Sequence, residues 1–272
     1  MSLNGKTVFI TGSTRGIGRA IALRCARDGA NIIVTGKSKD PHPKLAGTLD
    51  SVAAEVVACG GQALTVQLDV RRDDEVNAAM ELAADKFGGI DILVNNASAI
   101  SLTSTLDTTM KKFDLMMSVN ARAAFSCSRA ALPYLLKSDH PHILNMSPPL
   151  SLDSKWFKDF MAYTYAKFGM SMCTLGMAAE FKDRGVAINS LWPKTTIDTD
   201  AVRVHFPDHI VRSSRTTAIV ADAAYEILTM QSFSSGNFYI DEDVLRNAGI
   251  SDFASYSVDP SIEPYMDLYI DV

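Results

Sequence analysis

A basic surplus is missing from this chain. Its 26 lysines and arginines are outnumbered by 31 aspartates and glutamates, and a formal net charge of −5 argues against a nucleic-acid surface or a basic membrane-binding face. No run of eighteen apolar residues occurs, so no membrane-spanning helix is expected. Cysteine is scarce too. Cys25, Cys59, Cys127 and Cys173 are widely spaced and form no Cys-x-x-Cys pair. Three of them, Cys25, Cys127 and Cys173, fall in helix-like apolar stretches and read as free thiols of a reducing compartment. Repeats, low-complexity tracts and linkers are absent. The expected organisation is one domain over residues 1–272, with 241–272 as a C-terminal extension. Six residues precede the first strand-like run, which leaves no room for a leader, and Ile270-Asp271-Val272 matches no address signal. A cytoplasmic location is the expectation. His205 and His209 lack a third ligand at useful spacing, so no metal site is expected.

What is present is an alternation of short apolar strands with longer helical patterns, the signature of a doubly wound α/β fold with a parallel sheet. Strands are expected near 7–11, 31–35, 63–69, 90–95, 142–147, 186–192 and 237–241. Helices are expected near 16–28, 48–59, 73–87, 108–137, 160–184 and 220–231. Near-continuous apolar blocks such as Ile90 to Val94 suit strands covered on both faces. Two irregular stretches, Lys37 to Gly47 and Pro193 to about Val220, follow the second and sixth strands. Both would lie at the carboxyl edge of the sheet, where such folds bind ligands.

The first crossover carries the strongest local signal. The strand-like Thr7 to Ile10 runs into Thr11-Gly12-Ser13-Thr14-Arg15-Gly16-Ile17-Gly18, and an amphipathic helix leaves it. Glycines in that setting let backbone N–H groups approach a pyrophosphate at the positive end of a helix. Far downstream, Tyr163 and Lys167 stand four apart on a predicted helix and so share one face. An ammonium beside a phenol favours the phenolate, which makes the pair a proton donor or acceptor near neutrality. Alone, such a pair is usually a solvated helix face; an upstream nucleotide turn changes that balance.

Taken in order, Thr11 to Gly18, Asn95-Asn96-Ala97, Asn120, Tyr163 with Lys167, and Pro193 to Thr199 resemble the short-chain dehydrogenase/reductase family over about residues 5 to 240. Pro41 to Lys44, Asn95 to Leu102, Met146 to Leu150 and Leu191 to Lys194 are similar to its hydroxysteroid dehydrogenase-like subgroup. Some members of that subgroup carry a C-terminal sterol-carrier domain, which a chain of this length is not expected to hold. The resemblance implies a Rossmann-like sheet of about seven strands with helices on both faces, and an oxidoreductase interconverting a carbonyl and an alcohol. Tyr163 would be the general acid/base, and Lys167 would lower its pKa and bind the nicotinamide ribose. Asn120 would hold a water in a relay to Lys167. Cofactor contacts would come from Gly12, Ser13, Thr14, Arg15, Gly16, Ile17 and Gly18 in the turn. Asp69 and Val70 would meet the adenine, Asn95 would steady the central strand, and Ala97 would stand beside the cofactor. Pro193, Ile197 and Thr199 would lie at the carboxamide. Family members form dimers or tetramers, here expected through the helices near 108–137 and 160–184. The tail would cover a neighbouring subunit or the active-site mouth.

Three departures stand out. Lys194 occupies a position where the family has Gly, and Ser98 follows Asn-Asn-Ala in place of Gly. The family's substrate-orienting serine would fall at Pro148, which has neither a hydroxyl nor an N–H. Ser147, one residue early, is the first substitute and Ser151 the second. Charge speaks to the cofactor: the second strand ends Thr35-Gly36-Lys37 with no acid, and Arg15 adds a second cation. That pattern suits a 2′-phosphate, so NADP(H) is expected and NAD(H) is the alternative. Trp156, Phe157, Phe160 and Phe206 either line the pocket for a lipophilic small-molecule substrate or pack beneath a loop. A non-catalytic NADP(H)-binding sensor is the rival reading, favoured by the missing serine and opposed by the intact Tyr163, Lys167 and Asn120.

Overall fold

A computed structural model describes residues 1–38 and 47–271, apart from the side chain of His205. Most of the Lys37 to Gly47 connection, including the Pro41 to Lys44 segment, lies outside the described residues. Among the described residues seven strands form one parallel sheet in the order β3-β2-β1-β4-β5-β6-β7. They are β1 Thr7–Ile10, β2 Asn31–Gly36, β3 Gln62–Gln67, β4 Ile92–Asn95, β5 His142–Asn145, β6 Ala187–Trp192 and β7 Phe238–Ile240. The order reverses between β1 and β4, and a crevice must open there, beyond the carboxyl ends of the strands.

The apolar strand blocks are explained by two-sided burial. Val8, Ile10, Ile32, Val34, Ile92 and Val94 face one core, while Phe9, Ile33 and Leu93 face the other. A side-chain period of two thus sends every second residue to each layer, and both layers are apolar. The first core is closed by α1 (Gly16–Ala26), α2 (Leu49–Ala58), α9 (Thr217–Leu228) and α10 (Asp241–Asn247). The second is closed by α3 (Asp73–Phe87), α5 (Ala123–Leu135) and α6 (Met161–Phe181). α3 opens on Asp73, Asp74 and Glu75, carries Lys86 in its last turn, and stops at Gly88 in a left-handed turn. Charge against the helix dipole and a left-handed C-terminal glycine set those ends.

The single helix expected over 108–137 is three pieces. α4 (Met110–Met116) passes through a π-helical turn at Met117–Arg122 into α5. The extra residue in that turn swings Asn120 inward, where its side chain bonds the Ala99 backbone twice, accepting from N–H at 2.8 Å and donating to C=O at 2.9 Å. The stretch after β6 holds two short helices, α7 (Asp200–His205) and α8 (Asp208–Arg212).

After α10 the tail returns to the sheet's carboxyl edge. Residues 265–267 run antiparallel to 194–196: Thr196 N–H donates to Tyr265 C=O at 2.9 Å and Asp267 N–H to Lys194 C=O at 3.0 Å. Trp192 Nε1 donates to Leu268 C=O at 2.8 Å. Tyr269 is buried among Trp156, Phe168 and Trp192, with ring centroids 5.3–5.8 Å away.

Candidate active site

One cavity of about 570 Å³ occupies the crevice and joins the glycine turn to Tyr163 and Lys167. Of the expected cofactor residues it is lined by Gly12, Thr14, Arg15, Gly16, Ile17, Lys37, Asp69, Val70, Ala97, Pro193, Ile197 and Thr199. Ser13, Gly18 and Asn95 lie behind its wall. Ser13 Oγ accepts from Thr35 N–H at 2.9 Å and donates to Ile10 C=O, so it ties β1 to β2. Asn95 donates to Asn145 Oδ1 at 2.8 Å, which steadies β4 against β5. Gly18 acts through closeness: a Cβ there would stand 2.6 Å from Gly12 C=O and collide with the Asn96 side chain. Gly12 has φ +66°, and a Cβ on it would press on Ala97 at 3.2 Å. The turn therefore keeps its bare backbone facing the cavity, which fits a pyrophosphate approached by N–H groups. Asn96 supports the same turn by donating to Gly12 C=O at 2.9 Å.

At the outer end of the cavity two cations reach one acid. Arg71 Nε donates to Asp69 Oδ1 at 2.8 Å, and Lys37 Nζ stands 3.6 Å from Asp69 Oδ2. The hydrogen bonds from Arg71 hold the Asp69 carboxyl down at about 2. Arg15 lines the same end, and Arg71 had no local signal in the sequence.

Tyr163 and Lys167 are buried at the inner end. Lys167 donates to Met146 C=O at 2.9 Å and lies 5.2 Å from the Trp192 ring; burial brings its ammonium down to about 8. Tyr163 is 5% exposed and borders the cavity, and among the described residues its hydroxyl has no protein hydrogen-bond partner. Burial raises its pKa well above the usual tyrosine value, and the acidic groups Tyr269 and Asp267 push the same way. Burial sets that direction, while the Lys167 ammonium is engaged by the Met146 carbonyl.

The serine expectation is corrected. Ser147 is wholly buried, its Oγ 2.9 Å from Ser190 Oγ, in a network that continues to Thr174. β5 has ended at Asn145, and the chain turns there, with Ser147 N–H donating to Asn145 C=O at 2.9 Å. Ser151 accepts from Asp153 N–H and lies outside the cavity wall. Asn120 is committed to Ala99 rather than aimed at Lys167. Trp156, Phe157 and Phe160 pack in the aromatic cluster under the tail, while Phe206 reaches the cavity with Ile100, Leu115, Val119 and Leu268. Asp267 also lines it, and nothing in the sequence near Tyr163 announces a residue about a hundred positions later.

A parallel sheet of this order with a glycine-turn cavity and a buried Tyr-x-x-x-Lys pair defines a nicotinamide-dinucleotide oxidoreductase of the Rossmann type. The chain belongs to the short chain dehydrogenase family, which it matches over residues 6–209. Over 269 residues it is 52% identical to hydroxysteroid dehydrogenase-like protein 2 of Danio rerio and 53% identical to that of Homo sapiens. These matches cover 99% of this chain but 65% and 64% of those proteins, so the chain spans under two thirds of their length. A short chain dehydrogenase structure from Mycobacterium thermoresistibile is 45% identical with a TM-score of 0.94, covering 99% of this chain and 96% of that one. A Xanthomonas campestris structure, provisionally named a dehydrogenase, is 52% identical with a TM-score of 0.97, and each chain is covered completely.

Proposed function

We propose that the protein is an NADP(H)-dependent oxidoreductase that interconverts a carbonyl and an alcohol on a lipophilic small molecule. The observation that carries this reading is a cavity with a glycine turn at its rim and, at its inner end, a buried phenol with no protein hydrogen-bond partner among the described residues. Gly12, Thr14, Gly16 and Ile17 would hold the pyrophosphate, Asp69 and Val70 the adenosine, and Pro193, Ile197 and Thr199 the carboxamide. Bound there, the dinucleotide supplies hydride chemistry. Tyr163, kept neutral by burial, donates its proton to a carbonyl oxygen and recovers it from the alcohol in the reverse direction. Lys167, anchored on Met146 C=O, sets a positive charge beneath the site and orients the ribose. Ile100, Leu115, Val119, Phe206 and Leu268 exclude water and favour apolar substrates.

Lys37 and Arg71 on a single carboxylate, with Arg15 lining the same cavity, support the choice of NADP(H) over NAD(H). A metagenomic short-chain oxidoreductase of the same fold, 25% identical with a TM-score of 0.73, was solved in complex with NADP. We place the protein in the cytoplasm, in keeping with four free cysteines. We take its assembly as a homodimer or homotetramer packed through α5 and α6, where Phe125, Met172 and Leu175 are exposed.

The test is a panel of aliphatic aldehydes, aromatic ketones and ketosteroids, followed by loss of NADPH or NADH absorbance. Turnover with NADPH preferred supports the reading. Tight NADPH binding with no turnover across the panel supports the sensor instead.

A further inference from the structure

The chain after β5 brings the inner pocket no hydroxyl. Pro148, where the resemblance would put the family's orienting serine, has none, and the Ser147 hydroxyl is spent on Ser190. The tail brings a replacement. Asp267 borders the cavity with Tyr163, Lys167 and Met146, and its backbone is pinned to Lys194 C=O. One carboxyl oxygen accepts from Leu268 N–H at 2.7 Å; among the described residues the other has no partner. The conformation that delivers it is strongly held. Tyr269, two residues on, has φ +69°, a left-handed geometry unfavourable for a residue with a Cβ. It persists because three aromatic rings surround Tyr269 and its hydroxyl lies 3.1 Å from Thr164 Oγ1. Local strain stabilised from all sides marks a segment whose position is fixed by its surroundings.

We propose that Asp267 is the second hydrogen-bonding group of the reaction pocket, its carboxyl O–H donating to the substrate carbonyl oxygen alongside the Tyr163 hydroxyl. This rests on the carbonyl–alcohol reading above. Asp267 forms and breaks no covalent bond: the proton that reaches the substrate is Tyr163's, and Asp267 retains its own. The surroundings support a proton on Asp267. Burial favours the neutral acid and Asp241, at the start of α10, repels a second negative charge; the Leu268 N–H and Lys167 pull the other way. The balance puts the carboxyl at about 7. The remaining groups facing it are neutral or paired: Tyr163 and Tyr269 are phenols, and Lys194 Nζ stands 3.5 Å from Glu242.

Three measurements test the proposal, using the full chain with Asp267→Ala, which removes the donor, and Asp267→Asn, which keeps an N–H donor at the same place. With a carbonyl that the wild type reduces, D267A is expected to lower kcat about 100-fold, D267N less than about tenfold. Wild-type kcat should fall as pH rises through about 7 while D267N stays flat. The second readout needs no turnover. Hexanamide, an unreactive carbonyl, should bind the NADP⁺-loaded D267A at least about tenfold more weakly than it binds wild type or D267N. The third needs no ligand. Between about pH 4 and pH 8 the urea midpoint of wild type should drop relative to D267N, because the folded state holds a proton that the unfolded chain releases. Equal kcat in D267A and wild type, hexanamide binding that is absent or indifferent to position 267, or parallel urea midpoints would each overturn the proposal. Silence across the carbonyl panel with the hexanamide and urea differences intact would instead overturn the carbonyl–alcohol reading and leave Asp267's role as a donor standing.

Discussion

Two carboxylates border the same cavity and behave in opposite ways. Asp69, at the outer end, is gripped by Arg71 and approached by Lys37, and its carboxyl sits at about 2. Asp267, at the inner end, has a backbone N–H and a more distant ammonium for company, and sits at about 7. The difference is solvent and pairing. Near water a guanidinium in bidentate contact stabilises the anion; inside the protein desolvation costs more than one hydrogen bond returns. The whole inner end follows that rule. Tyr163 and Asp267 are raised and Lys167 is lowered, so all three drift toward their neutral forms. The outer end is built to meet a charged ligand, the inner end to handle a proton without one.

Tyr163→Phe should break the inner end outright. The ring keeps its packing and only the acid is lost, so kcat/KM should fall about 10³-fold, or ~4 kcal/mol. NADPH affinity, read by fluorescence titration, should stay within about twofold. A large loss of affinity would show that the hydroxyl serves binding rather than proton transfer.

Next in size is the glycine turn that joins the two ends. Gly18→Ala sets a Cβ against Gly12 C=O and the Asn96 side chain, and should cost about 2 kcal/mol of stability together with weakened NADPH binding. Gly176→Ala, inside α6 with open space around its Cβ position, is the control and should gain about 0.5–1 kcal/mol. Denaturant midpoints for the pair settle whether close approach or helix propensity governs Gly18.

The outer end is tested more gently. Lys37→Glu should lower the NADPH-over-NADH preference by about tenfold, since an exposed cation gives way to a charge that repels a 2′-phosphate. An unchanged ratio of kcat/KM values would leave Arg15 and Arg71 as the discriminating pair. Asp69→Asn should cost about 1 kcal/mol near neutrality, allowing for partial exposure. Its folded pKa is depressed, so that contribution is present above the unfolded carboxylate value and is lost as pH falls through about 2. Urea midpoints of wild type and Asp69→Asn should therefore converge in acid. For Asp267→Asn the gap opens toward high pH, the mirror image.

What was legible in the amino-acid order was whatever depends on neighbours along the chain. The glycine turn between β1 and α1, the Tyr163–Lys167 spacing on one helical face, and the alternating burial that makes the strands continuous apolar blocks are local consequences of backbone geometry and side-chain period. They sufficed for the sheet, the crevice and most of its lining. What needed the folded molecule was whatever depends on distance and solvent. Ser147, two residues beyond β5, turned into a core network with Ser190, Asn120 was claimed by Ala99 through a π-turn, and burial pushed the Tyr163 pKa up. Asp267 entered the pocket because the tail pairs with the segment after β6, about a hundred residues beyond the tyrosine it joins. Periodicity and spacing are written in the chain itself; desolvation and long-range pairing arise only once remote segments meet.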